Sequence, residues 1–450
     1  MYSTFYRNLI FPLMEKYHGT TIQQDLAWLK KTQWWSTEQI VELQNKKLRA
    51  LIKQSYENVP YYRQLFRDNS LHPDDIKTRE DLSRIPVLTK ETFKKMKDQL
   101  PTNDFSAKSI PSSSGGSTGE PVQFWRSKRD YSYSWAAAYR AWQWAGYNLG
   151  ERYVTLWGNP VGVSQQKKLL KRLKNSLLQN ISLSAYTITD ESLEEYTDIL
   201  RKYQPKVIRG YSQAIYLLAM YLEKNNIADI TPGAVLTTAE TLFEHQREKI
   251  ERQFGCRVFD GYGGGEAPSA AYECEEHSGY HISAENLIIE IVRDGEMVSP
   301  GESGKILITN LNSSSMPFIR YDMGDIGIFS DERCSCGRGL PLLKSIEGRI
   351  NDMIVTPEGK FVHSYLFSAI FKDIKSVNQF QVIQNETDKI SIRIVKNDQF
   401  TDRDNNRIIS SVQQVLGNGI KIHIEIVEKI PVLSGSGKRR FVVSTVPLKI

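Results

Sequence analysis

The chain has 450 residues, more than one compact hydrophobic core accommodates, so at least two domains are expected. Hydrophobic residues make up 40% of it, enough for a packed interior and too many for disorder. A net charge of +6, with acids and bases interspersed, argues against a nucleic-acid binder. The densest basic run, Lys167, Lys168, Lys171, Arg172 and Lys174, reads as the solvated face of a helix. Four cysteines do not make a disulfide framework. No apolar run reaches the ~18 residues of a membrane span. No signal peptide opens the chain, so the cytoplasm is the expected location.

Residues 1–100 read as helical, broken at Pro60 and Pro86. Within residues 1–17, Phe5, Leu9 and Leu13 recur at helical spacing and predict a packed helix in preference to a membrane-surface one. Ser112 to Pro121 is rich in Ser, Thr and Gly. Its backbone N–H groups and hydroxyls suit a polyphosphate, although it lacks the Walker A pattern. A flexible linker would have a similar composition. However, the strand Pro121–Trp125 and the helix Arg126–Trp144 follow directly, and Ile85 to Leu88 before it also look like core. Tyr131, Trp135, Tyr139 and Trp142 mark a buried face on that helix.

Strands at 153–157, 207–210, 234–238 and 257–260 alternate with helices at 213–224 and 243–254. That alternation predicts a parallel sheet with ligands at its carboxyl edge. Antiparallel strands are expected at 286–292, 304–310 and 326–330. A smaller α+β segment follows, with strands at 379–384, 389–395 and 420–427 and a helix at 402–416 ended by Gly417 and Gly419.

Five segments, in order, resemble the motifs of adenylate-forming enzymes. They are Ser114-Gly115-Gly116-Ser117-Thr118-Gly119-Glu120-Pro121, Tyr262-Gly263-Gly264-Gly265-Glu266, Arg320-Tyr321-Asp322-Met323-Gly324-Asp325, Gly348-Arg349-Ile350-Asn351-Asp352 and Ser436-Gly437-Lys438. Asn58 to Arg63 and Asp81 to Lys90 are similar to the phenylacetate–CoA ligase branch, including its capsular-polysaccharide members of CapK type. The resemblance spans nearly the whole chain. It implies an α/β fold: a large adenylating domain of mixed sheets and helices at 1–350, and a small mobile α+β lid at 351–450.

The implied reaction joins a carboxylate to ATP, releases pyrophosphate and leaves an acyl-adenylate, whose acyl group passes to coenzyme A. An amine acceptor, such as an amino sugar of a surface polysaccharide, is the alternative. A third reading is an inactive member that binds nucleotide or acyl ligand. In the implied site, Ser114 to Gly119 hold the β- and γ-phosphates, and Tyr262, Gly263 and Gly264 line the nucleotide. Asp325 accepts from the ribose hydroxyls, and Arg349 lies near the ribose or α-phosphate. Glu266 helps bind Mg²⁺, and Lys438 offsets the charge that develops during adenylation. Against these stand plainer roles: a helix cap for Glu266, a turn for Asp325 and a solvated loop for Lys438. Glu120 stands where Lys is common, Gly265 replaces a hydroxyl residue, and Asn351 or Asp352 would be the hinge. The acyl pocket is expected between the Arg209–Ser212 and Thr237–Glu240 turns and the Tyr262–Gly264 loop.

Cys274, Cys334 and Cys336, with His281 or else His277, could form a tetrahedral zinc site, as related proteins do; unlinked buried thiols are the alternative. Cys256 reads as a lone buried thiol. Expected partners are a small carboxylic acid with coenzyme A or an amine, and no nucleic acid. The oligomeric state stays open, with a homodimer one option.

Overall fold

The computed structural model describes all residues except 1, 103–108, 114–122, 158–178, 186–187, 189, 350–352, 358–360, 364–366, 368–369, 372–373, 418, 431–441 and 447–450. The phosphate-loop residues 114–119, the hinge pair Asn351 and Asp352, the basic run at 167–174 and Lys438 therefore lie outside the described residues, as does the Arg349 side chain. The chain divides into two compact units, Met1–Met323 with Gly327–Ile346, and Gly324–Ile326 with Glu347–Ile450.

The first unit opens with helices Phe11–His18, Ile22–Thr32, Thr37–Asn58 and Pro60–Asp68. Ser36 starts the third with a capping box: its hydroxyl accepts from the Gln39 N–H, and the Gln39 side chain accepts from the Ser36 N–H. Pro60 opens the fourth, where its missing N–H has no cost. The first seventeen residues correct the sequence expectation. Residues 2–17 are helical, but Phe5, Leu9 and Leu13 are exposed, while Tyr6 and Phe11 pack inward.

The strands β1 (Ile110–Ser113) and β2 (Gln123–Arg126) pair antiparallel, with Ser113 opposite Gln123. The donor-rich loop is thus flanked by the two arms of a ribbon. Helix Lys128–Trp144 follows at once, capped by the Ser127 hydroxyl accepting from the Asp130 N–H. Tyr139 and Trp142 are buried there, and Tyr131 and Trp135 half-buried.

One twelve-stranded sheet forms the centre. Its parallel part comprises β3 (Tyr153–Trp157), β4 (Asn180–Ser184), β5 (Val207–Tyr211), β6 (Ala234–Thr238) and β7 (Val258–Tyr262). The helices Asp190–Tyr203, Ser212–Lys224 and Glu244–Phe254 pack on one face of it. Helix Lys128–Trp144 packs on the other with Tyr139 and Trp142. Beyond β7 the sheet continues through β8 (Ala271–Glu273), β9 (Tyr280–Ile282), β10 (Leu287–Arg293), β11 (Glu296–Met297), β12 (Ser303–Asn310), β13 (Tyr321–Ser330) and β14 (Leu342–Arg349), with β7–β8, β8–β9, β9–β14, β10–β11 and β10–β12 antiparallel. The strand order is β11-β10-β12-β13-β14-β9-β8-β7-β6-β5-β3-β4. The change of pattern seen in the sequence is thus a reversal of direction inside one sheet. Residues 209–211, expected as part of a turn, are the end of β5, and Ser212 starts the next helix.

In the second unit β15 (Met353–Val355) pairs with β16 (Phe361–His363). The strands β17 (Val377–Glu386), β18 (Lys389–Lys396), β19 (Lys421–Ile426) and β20 (Val442–Ser444) lie in the order β19-β18-β17-β20. Helix Asp402–Leu416 buries Ile408, Val412 and Leu416, four residues apart, against Val382, Ile390, Ile392 and Ile394. Gly417, at φ +86°, ends it and donates to the Gln413 carbonyl. The fold is the mixed α/β architecture expected, with a small C-terminal α+β unit.

Candidate active site and metal centre

The turn after β7 is built for close approach. A Cβ on Gly263 would lie 2.8 Å from the Ala267 carbonyl oxygen, and one on Gly264 would lie 2.9 Å from the Met323 methyl and 3.2 Å from Glu266 Oε2. At Gly263, where the obstacle is backbone, only glycine fits; at Gly264 two side-chain ends would have to move aside. Glu266 is buried, and its Oε1 accepts a hydrogen bond from the Tyr321 hydroxyl at 3.1 Å. Two motifs fifty-five residues apart thereby meet side chain to side chain.

A buried chain of contacts continues to the ribbon. Asn310 Nδ2 donates to the Glu266 carbonyl at 3.3 Å and to Asp130 Oδ1 at 3.0 Å. Asp130 in turn pairs with Arg126, the last residue of β2, at 2.5 Å. The base of the phosphate-loop ribbon and the Glu266 turn are therefore tied through three polar side chains. In this chain of contacts Glu266 and Tyr321 belonged to motifs quoted from the sequence, and Arg126, Asp130 and Asn310 did not. Arg126 and Asp130 carried a weak signal, an i,i+4 charge pair that straddles the Ser127 cap.

Asp325 lies buried within β13. Arg320, which opens the same motif, is not available to a ligand. It is 3% exposed and pairs with Glu290 at 3.0 Å, while its Nη1 donates to the carbonyls of Ser83 and Ile85. Beneath the Gly263 turn, Asp260 of β7 accepts from the Thr237 hydroxyl at 2.6 Å and the Tyr280 hydroxyl at 2.9 Å. Burial, aided by the negative charge of Glu273, pushes its carboxyl up to about 6.

The second constellation is a Cys/His cluster. Cys274, His281, Cys334 and Cys336 bring their ligand atoms within 4.8 Å of one another. Cys274 Sγ lies 3.6 Å from Cys334 Sγ, and Cys336 Sγ lies 3.3 Å from His281 Nε2. Both separations match the edge lengths of a tetrahedron with metal–ligand bonds of about 2.0–2.3 Å, the values for zinc. No disulfide links them. The backbone N–H groups of Glu276 and Arg338 donate to Cys274 and Cys336 Sγ, at 3.4 and 3.5 Å. Burial raises the Cys274 thiol and lowers the His281 imidazole to about 4, which keeps the ring neutral and able to ligate. His277 stands apart. Its Nδ1 faces Glu273 at 3.3 Å and its ring packs on Phe259. Cys256, expected to be buried, is half-buried, with its thiol pushed up to about 12 by burial.

The family model for the CapK C-terminal domain matches residues 354–445. Protein CapK of Staphylococcus aureus is 28% identical over 421 residues, 90% of each chain. The phenylacetate–coenzyme A ligase of Thermus thermophilus is 26% identical over 332 residues, 71% of this chain and 72% of its own. Over most of its length the chain is thus similar to CapK and to phenylacetate–CoA ligases. The fold agrees with that likeness. A 2-hydroxyisobutyryl-CoA ligase, crystallised in its postadenylation state with its acyl-AMP, superposes with a TM-score of 0.72 at 18% identity, covering 89% of this chain and 88% of that one. The o-succinylbenzoate CoA synthetase MenE of Bacillus subtilis, in complex with its acyl-adenylate intermediate, superposes at 0.52 over 73% and 67%.

Proposed function

We propose that this chain activates a carboxylic acid with ATP, forming an acyl-adenylate and pyrophosphate, and then transfers the acyl group to coenzyme A. The observation that carries the reading is the buried Arg126–Asp130–Asn310–Glu266–Tyr321 chain, which holds the phosphate-loop ribbon and the Glu266 turn in one fixed relation. Adenylation brings two anions together, so its site must place backbone donors and positive charge around them. The Ser114–Gly119 loop is the donor set, and Gly263 and Gly264 leave room for the nucleotide to lie against the backbone. Glu266, fixed by Tyr321, is the residue to hold Mg²⁺, which screens the phosphate oxygens when bound. Asp325 accepts from the ribose, Arg349 meets the α-phosphate, and Lys438 meets the charge formed as pyrophosphate leaves. In the Cys274–His281–Cys334–Cys336 cluster, a zinc ion would be structural, because all four tetrahedral positions belong to the protein.

Acid-dependent exchange of labelled pyrophosphate into ATP, across a panel of acids, tests the first half-reaction. No exchange with any acid would leave the inactive-member reading standing. An amine in place of coenzyme A is the second reading for the acceptor. Product analysis with coenzyme A and with amino sugars separates the two. Lys438→Ala is expected to slow exchange about 100-fold, the scale of losing one transition-state charge stabiliser. It should still consume supplied acyl-AMP.

A further inference from the structure

Arg209 lies mid-strand in β5, on the sheet face covered by helix Lys128–Trp144. Its guanidinium sits between two indoles, 4.7 Å from the ring centre of Trp157 and 5.3 Å from that of Trp142. Trp157 in turn packs on Tyr211 at 4.5 Å. The other arginines set into this unit have acid partners. Arg126 pairs with Asp130, Arg140 with Glu285, Arg247 with Glu273 and Arg320 with Glu290, at 2.5 to 3.0 Å. Arg209 is half-buried, yet no ion pair or hydrogen bond joins its guanidinium to a carboxylate among the described residues. Residues 158–178, 186–187 and 189, outside the described set, contain no Asp or Glu.

A half-buried cation without a counter-ion is costly, and two indole faces offset only part of that cost. They also hold the guanidinium plane rigid, which prepares it to grip a planar or tetrahedral anion with two parallel N–H bonds. Its height along the sheet says which anion. Arg209 is level with Leu236 of β6, and Leu236 with Phe259 of β7. The Gly263–Glu266 turn begins after Tyr262, three residues beyond Phe259, or about 10 Å of strand. Arg209 therefore lies below the edge where adenylation is proposed, at the far end of the expected acyl pocket. It is placed to meet the tail of the acid and not the reacting carboxylate.

We infer that Arg209, clamped between Trp142 and Trp157, receives a second anionic group on the acid substrate. The preferred acids then carry a distal carboxylate or phosphate, roughly 6–10 Å from the carboxylate that is adenylated. The inference rests on the ligase reading above and specifies its substrate class.

The experiment uses the full-length chain and matched probes: butyrate with glutarate and 4-phosphonobutyrate, hexanoate with adipate, and phenylacetate with 4-carboxyphenylacetate. Pyrophosphate exchange is measured for the wild type, Arg209→Gln and Arg209→Lys, each first shown to melt cooperatively. The wild type is expected to prefer a dianionic probe at least tenfold in kcat/KM over its monoanionic match. Arg209→Gln should abolish that preference, with dianion kcat/KM falling at least tenfold more than monoanion kcat/KM, and Arg209→Lys should fall between. Glutarate against 4-phosphonobutyrate decides between carboxylate and phosphate. A wild type that favours the monoanions, or an Arg209→Gln variant that keeps the dianion preference, overturns the inference and leaves the ligase reading intact. Calorimetric titration of the same probes without ATP needs no turnover. Dianion binding lost in Arg209→Gln, with no exchange in the wild type, would uphold the anion site and reject the ligase reading; no dianion binding by any form would overturn the anion site.

Discussion

The Tyr321 hydroxyl donates to Glu266 Oε1, and that bond makes Tyr321 a positioning residue with a measurable signature. Tyr321→Phe should lower acid-dependent pyrophosphate exchange about tenfold and raise the Mg²⁺ concentration needed for half-maximal rate. A merely structural role would shift the melting temperature and leave the Mg²⁺ requirement alone. Asp260 gives a second residue-scale test. Its carboxyl is raised from an ordinary value near 3.8 to about 6, first by burial and then by Glu273. The folded state therefore holds the proton more tightly than the unfolded chain. Its stabilising contribution is complete below about pH 4 and is lost as the pH rises through 6, by about 3 kcal/mol at most. Asp260→Asn keeps a neutral group at that site. Denaturant titrations at pH 4.5 and 7.5 should show the variant gaining on the wild type at the higher pH; equal gaps at both would remove the assignment. The sequence made Glu266 and Asp325 conspicuous through their motifs. It did not mark Asp260, because a buried acid between hydroxyls has no sequence pattern of its own.

At the scale of elements, the Cys/His cluster depends on a pairing that no local pattern encodes. The short strands β8 and β9 form a hairpin, and β9 then pairs with β14, setting His281 opposite Leu342. This register brings His281 beside the Cys334–Cys336 turn and leaves His277, four residues earlier, facing Glu273 and Arg247. Both strands are three residues long, too short for alternation to be read, so the sequence supplied the ligand types and kept two histidines open. Protein purified without added zinc should contain close to one equivalent of metal. Cys336→Ser should lose most of it, and chelation should lower the melting temperature of the wild type but not of the variant. Metal below about half an equivalent in the wild type would favour unlinked thiols. The ribbon β1–β2 is the opposite case. A serine cap, an aromatic helix and small residues in a row are all local, and the order strand, helix was legible directly.

Across the whole molecule, the strand–helix alternation announced the parallel half of the sheet, and the change of pattern announced antiparallel strands. That the two halves are one twelve-stranded sheet was not legible, since β9 joins β14 across some sixty residues. Arg320 ties several parts of this assembly together. Its backbone N–H donates to the Thr309 hydroxyl of β12, its side chain pairs with Glu290 of β10, and its Nη1 donates to carbonyls of the segment before β1. Burial raises the Glu290 carboxyl, with Arg320 opposing that rise. Removing the guanidinium alone leaves Glu290 buried without its counter-charge, so Arg320→Ala should cost about 3–5 kcal/mol in urea unfolding. Replacing both partners by methionine removes both desolvation penalties and should recover most of that loss, because apolar groups of similar volume often match a buried ion pair. The pair thus predicts strong coupling in a double-mutant cycle. Additive losses would show that Arg320 acts through its carbonyl contacts to residues 83 and 85, and that the ion pair itself contributes little.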